Sequence, residues 1–204
     1  MRRPRRRPPT QARARATVAD ILAATARILE REGYEALTTN AIARVAGVGI
    51  GTLYQYFETK EAIVEALQHE HFEKMGRPFL ATMEALADAP LEEMVFGLAT
   101  LMRTSELLNS PLSKRLLAVP IRGKPKAVLH LEQRNAEILH RYLMRLAPHA
   151  DAASLRISIF LVVQTVEALI LSASQSRPRG LTRQRFTEEL GQLVVRYLAP
   201  LIAK

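Results

Sequence analysis

The sequence predicts an all-helical protein, and three observations carry the prediction. Apolar residues recur at helical spacing in segment after segment, Thr, Ser and Asp stand where those segments begin, and Gly or Pro stands where most of them end. No run of alternating apolar residues bounded by turn residues suggests a strand. Nine helices are expected.

The first is expected to open at Thr17, with Asp20 three residues on as a capping box. Its stripe is Val18, Ile21, Leu22, Ile28 and Leu29, and Gly33 stops it. Thr38 can cap a short second helix through Ala46, which Gly47 ends. A third short helix covers Ile50 to Phe57. A long fourth one starts near Lys60 and carries Ile63, Leu67, Phe72, Met75, Phe79, Met83 and Leu86 as core positions. Pro90 opens a fifth, with Leu91, Met94, Val95, Leu98, Leu101 and Met102 on one side. Ser110 and Pro111 start a brief sixth that Pro120 stops, and Gly123 and Pro125 turn the chain into a long helix ending at Leu146. Asp151 caps an eighth that runs to about Ser176. Thr182 caps the last, with Phe186, Leu190, Leu193, Val194, Tyr197, Leu198 and Leu201 on one face.

The 204 residues, 48% of them apolar, are enough for a proper core, and the absence of cysteine excludes disulfides, thiolate metal sites and cysteine nucleophiles. The net charge of +9 is concentrated at one end. Arg2, Arg3, Arg5, Arg6, Arg7, Arg13 and Arg15 lie in residues 1–15, which contain no acid, while the rest of the chain carries 22 basic and 20 acidic residues. Prolines at 4, 8 and 9 argue against a helix there, so residues 1–15 are expected to be a disordered basic arm. It is either merely solubilising or in contact with a polyanion such as nucleic acid or an acidic membrane surface. No apolar leader precedes the arginines, and the longest apolar run, Ile157 to Leu171, is broken by Ser158, Gln164, Thr165 and Glu167. It is expected to fall short of the ~18 to 20 residues a spanning helix requires. A cytoplasmic protein without membrane contact is the expectation.

Enzyme chemistry finds no footing. His69 and His71 are two apart on a helix, about 200° around its axis, and cannot grip one metal together. Both are expected to face solvent. His130 and His140 lack carboxylates at ligand spacing, and no nucleophile with its base, phosphate loop or paired-acid pattern is visible. No metal, cofactor or catalytic residue is expected.

Two short helices joined by Ala46-Gly47-Val48-Gly49, with a third before them, describe a helix-turn-helix unit whose second helix can lie in a DNA major groove. Gly51 leaves the start of that helix without a side chain, so its backbone can approach a duplex closely. Thr52, Tyr54 and Tyr56 offer hydroxyls to phosphate oxygens, and Lys60 adds a charge. Leu53 and Phe57 face the other way, toward the first helix. For Tyr54 and Tyr56 core packing is the competing reading, and for Asn40 a plain surface position.

The same residues carry a family resemblance. Ile21-Leu22-x-Ala24 through Ile28-Leu29, Gly33-Tyr34, Thr38-Thr39-x-x-Ile42-Ala43, Ala46-Gly47-Val48 and Gly51-Thr52-Leu53-Tyr54-x-Tyr56-Phe57-x-x-Lys60-Glu61 together resemble the DNA-binding domain of the TetR (tetracycline repressor) family. Gly49 departs from the usual serine or threonine cap, Leu29 from a frequent phenylalanine and Thr25 from a frequent alanine; all three substitutions are tolerable to the fold. After the basic arm over residues 1–15, the resemblance implies a DNA-binding domain over 16–60 and an effector-binding and dimerisation domain over 61–204. It places Thr39, Thr52, Tyr54, Tyr56 and Lys60 at phosphates, and Asn40, Ile50, Gly51 and Gln55 near base edges. Asn and Gln can pair with adenine through two hydrogen bonds, and Ile50 can touch a thymine methyl.

The resemblance further implies a homodimeric repressor on a palindromic double-stranded DNA operator, released by a small, largely apolar effector. Phe72, Phe79, Met94, Met102, Phe160 and Gln164 are the inward-pointing candidates for the effector pocket. Gln164, Thr165 and Glu167 fit either an interface or a pocket anchor. The helix over 151–176 is apolar nearly all round and needs cover on both faces, so it and residues 182–203 are the expected dimer face. The competing reading is a nucleic-acid or membrane-surface binder without effector control, driven by the arm.

Overall fold

A computed structural model describes residues 9–105, 110–119, 126–175 and 178–203, and it is all helical. The helices among the described residues are α1 (Pro9–Glu32), α2 (Thr39–Ala46), α3 (Ile50–Tyr56), α4 (Lys60–Ala85), α5 (Leu91–Thr104), α6 (Pro111–Leu117), α7 (Lys126–Leu146), α8 (Ala152–Gln175) and α9 (Arg183–Ile202). They fall into two compact units: Met1–His71 with Ser110–Pro125, and Phe72–Asn109 with Lys126–Lys204. The first unit therefore reaches beyond residue 60, to His71 within α4, and takes in α6.

The caps explain most boundaries. The hydroxyl of Thr38 accepts from the Ala41 N–H, that of Ser110 from Ser113 N–H and that of Thr182 from Arg185 N–H. Asp151 accepts from both the backbone N–H and the hydroxyl of Ser154, which holds its carboxyl below the usual carboxylate range. Thr59 caps α4 by accepting from Ala62 N–H, a role its sequence context had not suggested. Gly47 ends α2 at φ 69°, a conformation that favours glycine, and its N–H reaches the carbonyls of Ala43 and Arg44. The stop expected at Pro120 lies outside the described residues.

One boundary differs from expectation. α1 begins at Pro9, not Thr17, so residues 9–15 are helical and not a disordered arm. A proline in the first helical turn costs little, because its missing N–H would have had no intrahelical partner, and Gln11-Ala12-Arg13-Ala14-Arg15-Ala16 are good helix formers. Thr17 is no cap; its hydroxyl donates to the Arg13 carbonyl one turn back. Residues 1–8 of the expected arm lie outside the described residues.

In the first unit Ile21, Ala24, Thr25 and Leu29 of α1 are fully buried, with Leu37, Ile42 of α2, Leu53 of α3 and Ile63 and Val64 of α4. Thr25 is tolerated there because its hydroxyl donates to the Ile21 carbonyl. α6 packs on α1, and it changes the standing of one α4 residue. His71, expected at the surface, is buried against α6, with its Nε2 2.7 Å from the Ser113 hydroxyl. Gln68, also buried, donates to the Leu116 carbonyl at 2.9 Å.

The second unit has its core in Met83, Leu91, Met94, Tyr142, Leu143, Leu155, Ile159, Val194 and Leu198. α9 packs mainly on α5, close enough that a Cβ on Gly191 would stand 3.0 Å from the Phe96 ring. α7 and α8 form an antiparallel hairpin across residues 147–151. Gly76 of α4 lies so close to α7 that a Cβ there would overlap Leu131, and Glu73 pairs with Arg134 at 3.6 Å beside it. The Tyr142 hydroxyl donates to the Ala89 carbonyl at 2.9 Å, and burial pushes its pKa up to about 12.

α8 departs from expectation in a second way. By length and composition Ala152–Ile170 is long and apolar enough to cross a membrane, because the polar residues that interrupt it are few and spread out. Only 17% of that stretch is buried. Leu155 and Ile159 face the core, while Ile157 and Phe160 are 61% and 62% exposed. Leu161 and Leu169 of α8 and Leu193 and Tyr197 of α9 are exposed as well.

Candidate nucleic-acid interface and effector groove

α3 is anchored by one residue and open on its other side. Leu53 is fully buried, whereas Ile50, Gly51, Tyr54 and Gln55, at the i, i+1, i+4 and i+5 positions of one helix face, are all exposed. Tyr54 is 51% and Tyr56 37% exposed, so neither is a core residue. Thr52 is half-buried, and a Cβ on Gly51 would meet nothing within 4 Å. Gly49 caps α3 without a side-chain hydrogen bond, as expected of glycine.

α2 lies against α3, and its first turn joins the same surface. The hydroxyls of Thr39 and Tyr54, both expected at phosphates, are 3.2 Å apart, and Asn40 is exposed. Lys60 opens α4 with its Nζ 4.5 Å above the Tyr34 ring. The Tyr34 hydroxyl donates to Glu61 Oε1 at 3.3 Å. Partial burial, and then the neighbouring Glu61 charge, raise the Tyr34 pKa; the Glu61 carboxyl is lowered, first by its own backbone N–H and then by Thr59 and Tyr34. Tyr34 thus restrains the direction of the Lys60 cation through its ring. Spacing had not singled Tyr34 out, because a lone aromatic after a glycine reads equally well as core. All nine nucleic-acid candidates, Thr39, Asn40, Ile50, Gly51, Thr52, Tyr54, Gln55, Tyr56 and Lys60, belong to the first unit, and none is fully buried.

The six pocket candidates separate. A groove of about 570 Å³ lies between α7 and α8, and Phe160 and Gln164 line it along with Ala136, His140, Ile159 and Val163. Phe72 and Met94 are about 1% exposed, Met94 sits in the core cluster, and neither lines this groove. Phe79 and Met102 are half-buried and do not line the groove. Helical periodicity reports which side of a helix is covered, not where a void remains, and the α7 residues of the groove escaped it because most of them are polar. A second groove of about 540 Å³ runs along the exposed face of α9, with Leu169, Phe186, Leu193 and Tyr197 among its walls. Among the described residues no group of three or more His, Asp or Glu can hold a metal ion.

Comparison with known proteins fits this geometry. Residues 21–67 match the model of bacterial regulatory proteins of the tetR family, and residues 90–198 match that of the tetracyclin repressor-like C-terminal domain. An uncharacterized HTH-type transcriptional regulator of Mycobacterium tuberculosis is 30% identical over 83 residues, a stretch that covers 41% of this chain and 41% of that relative. Among solved structures, a TetR-family transcriptional regulator from Streptomyces coelicolor is similar with a TM-score of 0.58 at 24% identity, over 91% of this chain and 99% of that one. SmeT, the repressor of the Stenotrophomonas maltophilia multidrug efflux pump SmeDEF, aligns with a TM-score of 0.61 at 18% identity over 90% of both chains, and a structure of SmeT with triclosan is similar to the same degree. These proteins are described as regulators of transcription. With both of its helical regions matched, one of them over more than half the chain, the protein is a transcriptional regulator that belongs to the TetR family.

Proposed function

We propose that the protein is a homodimeric repressor that places α3 of each subunit in the major groove of a palindromic operator and lets go when a small effector binds the second unit. The observation that carries the reading is the outward face of α3: Ile50, Gly51, Tyr54 and Gln55 exposed together on a helix that Leu53 anchors. Tyr54, Thr39, Thr52, Tyr56 and Lys60 hold phosphates, while Gln55, Asn40 and Ile50 meet base edges. The exposed apolar residues of α8 and α9, Ile157, Leu161, Leu169, Leu193 and Tyr197, supply the dimer face, so that two such pairs close a four-helix bundle across a two-fold axis. That use of α8 needs no membrane and suits a cytoplasmic protein. The effector enters the α7–α8 groove beside Phe160 and Gln164.

Binding of operator fragments selected from genomic DNA tests the DNA side. Tyr54→Phe and Lys60→Ala should weaken all sequences alike, whereas Gln55→Ala should relax preference at one position per half-site by ~1 to 3 kcal/mol. Identical specificity profiles for Gln55→Ala and the parent would remove the base-reading role. A protein that took any polyanion equally would instead be a binder driven by its N-terminal arginines.

A further inference from the structure

The α7–α8 groove has two chemically different ends. By their positions on the two helices, Arg141 and Arg156 are the lining residues nearest the 147–151 connection and Glu132, Gln133 and Gln164 the farthest from it, with Ala136, Glu137, His140, Ile159, Phe160 and Val163 between. From Arg141 to Glu132 the groove runs about 13 Å, at ~1.5 Å of rise per residue. Between the ends the α8 side is apolar, with Ile159, Phe160 and Val163, while the α7 side adds Ala136 together with the polar Gln133 and Glu137.

The end beside the turn is unsatisfied. His140 Nε2 is buried and has no hydrogen-bond partner among the described residues, which costs free energy until something supplies one. Neither Arg141 nor Arg156 forms an ion pair within 4.0 Å among the described residues, although the Arg156 charge helps, after the Ser154 hydrogen bonds, to lower the Asp151 carboxyl and Glu137 lines the groove one turn from Arg141. Two guanidinium groups that form no ion pair within 4.0 Å among the described residues, beside a buried imidazole nitrogen and with the apolar α8 wall leading away, match an anionic head on an apolar chain. A cationic head would have to lie near Glu132 and Glu137; Glu132 already has interactions of its own, and the buried, unpartnered Asn135 Oδ1 of that stretch is not among the groove's walls.

We propose that the groove binds an amphiphilic carboxylate, its head held by His140 Nε2, Arg141 and Arg156 and its chain laid over Ala136, Phe160 and Val163. The head accepts from an Nε2–H of His140 and from both guanidinium groups, while the chain covers Phe160, which solvent otherwise reaches. This identifies the chemical class of the effector and rests, for its regulatory consequence alone, on the effector-controlled reading above.

Calorimetric titration of the full chain with decanoate below its micelle concentration, against decanol as the uncharged analogue, tests the assignment. Saturable binding of one decanoate per chain is expected, with decanol at least about tenfold weaker. Arg141→Ala and Arg156→Ala, both surface changes that leave folding intact, should each weaken decanoate about three- to tenfold and leave decanol unchanged. His140→Phe should weaken it about tenfold, and His140→Gln, which keeps an N–H, should recover part of that loss. Equal affinities for decanoate and decanol, or arginine variants that bind decanoate like the parent, overturn the proposal. So does absent binding combined with amide exchange on α8 that slows as protein concentration rises, since a second copy would then occupy the groove. Operator affinity with and without decanoate separates the two readings. If decanoate binds through these residues yet leaves the operator complex unchanged, the site stands and effector control fails. If another molecule releases the operator equally well from the parent and from the arginine variants, effector control stands and this site falls.

Discussion

Replacing Gly51 by alanine should change stability and DNA binding in opposite directions. Gly51 lies in the first turn of α3 with a negative φ, and a Cβ added there meets no atom within 4 Å. Nothing in the fold therefore requires glycine, and alanine should gain about 0.5 to 1 kcal/mol from the smaller backbone entropy lost on folding. For a chain of this size that raises the thermal midpoint by about 1 to 4 °C. At the operator the same methyl occupies space that the α3 backbone would share with the duplex. Overpacking a close approach costs about 1 to 3 kcal/mol, or roughly 5- to 150-fold in affinity. Circular dichroism melting and fluorescence anisotropy on one operator fragment, in one buffer, measure both effects. An unchanged operator affinity would show that the duplex does not come near residue 51, and a lowered melting midpoint would show that the glycine serves the fold.

Three further outcomes are expected. Leu169→Arg with Leu193→Arg buries two charges per subunit in the proposed dimer face, at a cost of several kcal/mol, and should yield monomers by sedimentation; a dimer with its helicity intact would place the interface elsewhere. Gly76→Ala drives a methyl into Leu131 and should destabilise the second unit by about 1 to 3 kcal/mol, whereas a neutral result in denaturant titration would mean that Leu131 can swing aside and that the closeness of α4 and α7 does not depend on glycine. Arg13→Ala with Arg15→Ala, on the first turns of α1, should flatten the slope of log affinity against log salt by up to ~0.9 for each phosphate the arginines cease to neutralise; an unchanged slope would mean that this end of α1 stays off the DNA.

The sequence alone determined the helices and the outer face of α3, because both follow from local chemistry. A cap such as Thr38 or Thr182 bonds to a backbone N–H three residues away, and a glycine such as Gly47 stops a helix through its own φ, so neither needs the rest of the chain. The spacing of Leu53 against Ile50, Tyr54 and Gln55 likewise separates the anchored side of α3 from the free one within two turns. Where local signals competed, the reading went astray: prolines near the terminus suggested an arm, although the helix-forming residues that follow let α1 start at Pro9. Tertiary structure decided everything that depends on residues far apart in the chain. His71 is buried because α6, some forty residues later, covers it through Ser113. Met94 is core and Phe160 exposed, although both looked alike as apolar positions on helices, because only one of them has a neighbour packed over it. The buried nitrogen of His140 could not be foreseen at all, since an unmet hydrogen bond is a property of what surrounds an atom in space and leaves no mark on the order of residues.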